Sequence, residues 1–166
     1  MAQVTLQGAA IHTIGSLPEP GTLAPDFLLT KADLSDVSLK DYQGKRLVLN
    51  IFPSIDTTIC AMSVRRFNAE INQVANAVCL CVSRDLPFAH ARFCGAEGLA
   101  NVVAVSELRN REFGDQYGVR IMDGPLAGLL ARAVVVINEA GRVIYTELVP
   151  EIKQEPDYAA ALRVLQ

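Results

Sequence analysis

The chain has no tryptophan, only two histidines and no run of basic residues. Its 15 Lys and Arg stand against 18 Asp and Glu, a net charge of −3. The electrostatic footprint of a nucleic-acid or anionic-membrane binder is therefore missing, and neither partner is expected. No apolar run reaches membrane-spanning length, since the longest, 127–137, is broken by Arg132. The first residues lack both a positive region and an apolar core of signal-peptide length, so a cytoplasmic location is expected. There is no Cys-x-x-Cys and no His-x-x-x-His, which argues against a zinc site and against a thioredoxin-type dithiol centre. His90 and Cys94 share one helix face, but a Cys-x-Cys on an apolar strand is a poor second half for a metal site, and no metal is expected. Four cysteines, at 60, 79, 81 and 94, are too few for the dense disulfide framework of a small secreted domain.

What is present fits one globular domain over residues 1–166, with 51% of residues apolar and 20% charged. Alternating segments at Val4–Leu6 and Ile11–Ile14 read as an amino-terminal β-hairpin turning through Gln7-Gly8-Ala9-Ala10. Short strands are expected at 27–30 and 37–39, and a buried strand at 46–52 that Pro53 ends. From Thr58 the pattern turns helical: Cys60, Val64, Phe67, Ile71 and Val74 recur at intervals of four and three. Cys60 heads that core-facing stripe, so its sulfur should point into a pocket. The apolar run 77–82 reads as a strand buried on both faces. Asp85 is a plausible N-cap for a second helix, with Pro87 in its first turn and Gly95 as its stop after Cys94. A strand at 101–105, a helix at 109–117 ended by Gly118, a hairpin of 133–137 with 142–146, and a closing helix at 157–165 complete the chain. Strands alternating with helices and ending in a hairpin describe an α/β fold with a mixed sheet.

The chemistry centres on Cys60. An unperturbed thiol is only a few per cent ionised at neutral pH. A helix terminus contributes roughly 0.3–1 kcal/mol to holding an anion, up to about 2 when partly buried, and burial opposes it. A reactive thiolate here needs a further cation or donor. Thr57, three residues earlier, can place its hydroxyl beside the sulfur. Arg132, just before the apolar run 133–137, is the best cation, since arginine stays charged and offers several donors in a fixed fork. The plainer readings compete: Cys60 as a packed core residue, Thr57 as a helix cap, Arg132 as a solvated charge. Cys79 and Cys81, two apart on a strand, face one side and read as small buried residues. His90 is expected near the Cys94 sulfur or in solvent.

Pro53-x-x-x-Thr57-x-x-Cys60 matches the Pro-x-x-x-Thr-x-x-Cys signature of peroxiredoxins. Asn50–Thr57, Ser63-Val64-Arg65, Asp85–Ala89, Arg92–Leu99, Gly124-Pro125-Leu126, Ala131–Val136 and Glu155–Tyr158 extend the match over essentially the whole chain. The sequence resembles the bacterial thiol peroxidases, the atypical two-cysteine branch of that family. The resemblance implies a thioredoxin-like fold and reduction of hydroperoxides, with alkyl and lipid hydroperoxides preferred. It implies Cys60 as the peroxidatic cysteine, Thr57 and Arg132 as the groups holding the peroxide, and Pro53 as a shield of the pocket. It further implies Cys94 as the resolving cysteine in a Cys60–Cys94 disulfide of one subunit, recycling by thioredoxin, a homodimer and no cofactor. Disulfide bonding needs Cα atoms within about 7 Å, so the first turn of the Cys60 helix and the Cys94 segment are expected to unwind during turnover. Thr58-Ile59 stands where family members commonly carry Gly-Val, adding bulk beside the nucleophile, and Cys79 stands where an aliphatic residue is usual. A redox sensor that passes oxidation to a partner protein would use the same two cysteines.

Overall fold

The computed structural model describes residues 1–166. An antiparallel ribbon of β1 (Gln3–Leu6) and β2 (Ala9–His12) comes first. Its turn is Gln7-Gly8 alone, both residues left-handed at φ 51° and 85°. Two consecutive residues at positive φ make the tight turn whose twist suits paired strands. Ala9 and Ala10, expected in the turn, therefore belong to β2.

The main sheet holds β3 (Leu28–Lys31), β4 (Asp36–Ser38), β5 (Arg46–Ile51), β6 (Ala77–Ser83), β7 (Val102–Ser106), β8 (Ala133–Ile137) and β9 (Val143–Leu148). Their order is β4-β3-β7-β6-β5-β8-β9. β5, β6 and β7 run parallel, whereas β8 and β3 join them antiparallel. The helices are α1 (Thr58–Ile71), α2 (Pro87–Glu97), α3 (Glu112–Gln116) and α4 (Tyr158–Arg163). This is the expected α/β architecture, a mixed sheet flanked by helices with an amino-terminal ribbon. None of the helices is long and apolar enough to cross a membrane.

The period of two along β5 divides the core. Leu47, Leu49 and Ile51 face one side with Leu80, Val82 and Val135, under Phe113, Tyr117 and Leu130. Val48 and Phe52 face the other with Cys79, Cys81 and Val134, under Val64, Phe67 and Ile71 of α1. Phe67 meets Tyr158 of α4 edge-on, at 5.3 Å between centroids and 75° between planes. Each such buried side chain contributes about 1.5–3 kcal/mol, so the stripe headed by Cys60 seats α1 on the sheet.

Two helices differ from the sequence reading. The side chain of Asp85 does not cap α2: Leu86 takes the cap position, Pro87 follows, and the Asp85 carboxylate turns to other partners. Gly95 does not end α2, which continues to Glu97 and stops at Gly98, in the left-handed conformation at φ 67°. The Gly98 N–H reaches back to the Cys94 and Gly95 carbonyls. Gly95 remains helical because nothing forces its φ positive, at a propensity cost of about 1 kcal/mol. α3 is shorter than expected because Asn110 Oδ1 accepts the Glu112 N–H at 3.0 Å and holds the preceding residues as a turn.

Candidate active site

Register builds the site. β5 and β8 pair antiparallel with Ile51 opposite Ala133. Arg132 therefore enters beside the point where β5 ends and the chain turns through Pro53 toward α1. Its side chain is buried, at 2% exposure. Nε donates to the Ile152 carbonyl at 2.8 Å, and Nη2 donates to Cys60 Sγ at 3.2 Å. Nη1 is buried without a partner. A buried guanidinium is costly unless its donors are met. Here one donor rests on sulfur and another is left unclaimed.

Cys60 is the third residue of α1 and fully buried. Its carbonyl accepts from Ser63 Oγ at 2.7 Å, and Asn50 Nδ2 on β5 donates to that hydroxyl at 3.1 Å. The Cys60 backbone is thus tied to the central strand through two buried polar side chains. Thr57 occupies the N-cap position of α1, but its hydroxyl donates to the Ser54 carbonyl at 3.0 Å and makes no cap bond. The first N–H groups of α1 are left without a side-chain acceptor, so the positive helix end remains open to an anion.

A cleft of about 430 Å³ lies over this region, walled by Pro53, Thr57, Ile59, Leu126, Leu129 and Arg132. Thr58 lines it as well, so the unusual Thr58-Ile59 pair does shape the mouth. Hollows of 530 and 650 Å³ elsewhere are larger, but neither is lined by Arg132, the residue that joins this cleft to the buried Cys60 sulfur. Chemistry, not volume, marks the site.

The other cysteines separate by environment. All four are free thiols. Cys94 is half-buried in its own hollow of about 260 Å³ beside Lys31, Val102 and Ala104, apart from the Arg132 cleft. Burial, with a smaller contribution from Cys81, pushes its thiol up to about 11. Cys79 and Cys81 are wholly buried under α1, facing one side as expected. Burial raises the Cys79 thiol well above its ordinary value, the state of an inert packed cysteine. His90 is not in solvent. Its ring is fully buried, with Nε2 at 2.8 Å from Ser83 Oγ and 3.6 Å from Asp85 Oδ2.

Residues 19–162 match the Redoxin family model. A thiol peroxidase of Mycobacterium tuberculosis is 58% identical over 99% of both chains. The chain belongs to the redoxin family, in its thiol peroxidase branch. A thiol peroxidase of Mycobacterium bovis matches equally, at 58% identity over 99% of each chain. Among solved structures, a peroxiredoxin-like protein from Aquifex aeolicus superposes with TM-score 0.94 at 34% identity, covering 99% of this chain and 96% of the other. The fold is likewise that of a thiol peroxidase from Chromobacterium violaceum, with TM-score 0.92 at 24% identity, covering 100% and 96%. The thioredoxin-like fold and the peroxiredoxin class of the enzyme follow.

Within this redoxin, Pro53, Thr57 and Arg132 line one cleft, Cys60 is buried behind it in contact with Arg132, and Cys94 stands outside it. Sequence reasoning missed Asn50, Ser63, the Ile152 carbonyl and the tertiary role of Asp85. A polar Asn50 inside the apolar run 47–52 was the one available signal; buried polar groups require partners, and this one finds Ser63.

Proposed function

We propose that this peroxiredoxin enzyme reduces hydrogen peroxide and, preferentially, alkyl and lipid hydroperoxides, with Cys60 as peroxidatic and Cys94 as resolving cysteine. The observation that carries the reading is the Arg132 Nη2 donor 3.2 Å from Cys60 Sγ, with Nη1 unclaimed beside it. The Cys60 thiolate attacks one peroxide oxygen. An S–O bond forms, the O–O bond breaks, and the sulfur gives up two electrons. The departing oxygen takes a proton and leaves as alcohol or water. Arg132 donates to the oxygens as charge develops on them, with Thr57 beside it at the mouth, an arrangement that is stronger in the transition state than before it. Pro53 screens the sulfur from water. The apolar cleft walls Ile59, Leu126 and Leu129 favour an organic substituent over bulk water.

Cys60 is left as a sulfenic acid. The Cys94 sulfur attacks it, an S–S bond forms and water leaves. A thioredoxin-type dithiol then exchanges with the disulfide, which returns two thiols and carries the oxidation away. In its folded position Cys94 is a poor attacking group, since burial keeps it a thiol near neutral pH. Resolution therefore goes through local opening of the Cys60 turn and the Cys94 segment. The chain works as one domain and pairs as a homodimer.

The test is NADPH consumption with thioredoxin reductase and thioredoxin, run with hydrogen peroxide and cumene hydroperoxide in parallel. Turnover with both, faster with the organic peroxide, is expected. Cys60→Ser abolishes it, and Cys94→Ser permits one oxidation but no recycling. Normal turnover by Cys94→Ser would assign resolution to another thiol, and no turnover by the native chain would defeat the reading.

A further inference from the structure

Asp85 lies between the two cysteine-bearing segments and is bonded to both sides. Its Oδ1 accepts from Ser54 Oγ at 2.7 Å, and its Oδ2 accepts from the Ile55 N–H at 2.7 Å. Both donors belong to the loop that leads into Cys60. Ser54 is the hub of that loop: its carbonyl accepts the Thr57 N–H at 3.2 Å and the Thr57 hydroxyl at 3.0 Å, which sets the first turn of α1. On the other side, Asp85 Oδ2 accepts from Ser83 Oγ at 2.6 Å, and that oxygen lies 2.8 Å from His90 Nε2. The Ser83 proton points at Asp85, so His90 must supply the proton of the second contact, from an Nε2–H tautomer. His90 is on α2, four residues before Cys94 and on the same helix face.

The carboxylate stays charged in this place. Burial alone would raise its pKa, but the His90 ring 3.6 Å away and the donors from Ser83, the Ile55 N–H and Ser54 outweigh burial and hold it at about 2. A second tie joins the same segments, Arg92 to Asp56 at 2.8 Å, but those side chains are 65% and 60% exposed. Exposed ion pairs are weak, whereas a desolvated carboxylate with several donors is lost only at a large cost. The buried tie decides.

We propose that Asp85 is a positioning residue that clamps the loop before Cys60 to the helix bearing Cys94, and that release of this clamp sets the rate at which the Cys60 sulfenic acid is resolved. The proposal rests on the assignment of Cys94 as resolving cysteine. Asp85 touches no substrate and exchanges no covalent bond. It holds α1 intact while peroxide is attacked, and afterwards its donors must pass to water before Cys94 reaches Cys60. An intact clamp prolongs the sulfenic acid and exposes it to a second peroxide.

The experiment is single-turnover oxidation of the whole protein with one equivalent of cumene hydroperoxide, quenched at intervals and read by mass spectrometry. The native chain supplies the reference: peptide mapping should find the Cys60–Cys94 disulfide. Its absence would overturn the resolving assignment and the clamp together. Asp85→Asn removes the charge. The lifetime of its sulfenic acid should shorten about tenfold, the scale of one charge-assisted hydrogen bond, while the first oxidation slows no more than about threefold. A general loss of folding would slow both steps, so the split between them is diagnostic. An unchanged or longer lifetime, with the native disulfide present, overturns the clamp alone. If Asp85→Asn does not fold, Ser83→Ala cuts only the α2 side of the network. A shortened lifetime there supports the clamp, and an unchanged one refutes it.

Discussion

Replacing Arg132 by lysine keeps the charge and removes the fork, which makes it the most searching test of the catalytic geometry. Arg132 serves three directions from one planar group: Nε on the Ile152 carbonyl, Nη2 on Cys60 Sγ, and Nη1 free. A lysine ammonium is a single nitrogen at the end of a flexible stem and cannot place donors at those spacings together. Anchored on Ile152, it leaves the sulfur; drawn to the sulfur, it leaves a buried carbonyl unmet and has nothing fixed for the peroxide. The loss of one preorganised donor to a developing oxyanion lowers the rate about 10²–10³-fold, or roughly 3–4 kcal/mol of barrier. Arg132→Met, which also removes the charge, should lose more. The reading is cleanest in a Cys94→Ser background, where only the first oxidation is expected. The chain has no tryptophan, so the rate is best followed by rapid quench and mass analysis of the Cys60 peptide. Thermal unfolding of the same variants separates chemistry from stability. A rate for Arg132→Lys within about threefold of the parent, in a folded protein, would show that the fork has no part in the step and that the 3.2 Å contact to sulfur is only structural.

Glu107, just after β7, is fully buried with neither carboxylate oxygen hydrogen-bonded, and Arg84 Nη1 stands 3.8 Å away. Burial raises its pKa from 4.5 to about 7, against the opposing pull of Arg84. The folded state therefore holds the proton more tightly than the unfolded chain, and stability should be greatest below about pH 4.5 as far as this group is concerned and fall as pH rises to about 7. Glu107→Gln should remove that slope and raise stability at pH 8 by about 1–2 kcal/mol, allowing for screening along the partly exposed Arg84; denaturant melts at pH 5 and pH 8 check it, and equal slopes in both proteins would refute it. Gly118 has φ 70°, and a Cβ there would fall 2.2 Å from the Ser16 carbonyl oxygen. Gly118→Ala should destabilise the fold by roughly 2–4 kcal/mol, through a strained backbone and an unavoidable clash, and a change below about 0.5 kcal/mol in a urea melt would show that the neighbouring chain yields.

Much of the fold was legible because its signals are local. The apolar runs at 47–52, 77–82 and 133–137 are strands, and the stripe from Cys60 through Val64 and Phe67 to Ile71 is a helix face. These patterns follow from side-chain periodicity, which needs no knowledge of the rest of the chain. Boundaries were weaker where two plausible residues competed. Gly95 was expected to end α2, but the left-handed Gly98 three residues on does so. Asp85 had the composition of a cap but was drawn to Ser54, Ile55 and Ser83 instead. A cap is worth about 1 kcal/mol, less than several buried bonds to a carboxylate.

Local pattern sufficed for the strand–helix junction that carries Cys60, for the family, and for singling out Arg132 as the charge just before the buried run 133–137. How those groups meet depends on packing. The β5–β8 register aims the Arg132 guanidinium at the sulfur, Asn50 and Ser63 fix the Cys60 backbone, the Thr57 hydroxyl turns to Ser54, and Cys94 is held in a separate hollow. The reason is physical. Periodicity is set by neighbours along the chain, but a hydrogen bond between residues 72 positions apart depends on how whole elements pack, and no local pattern encodes that distance.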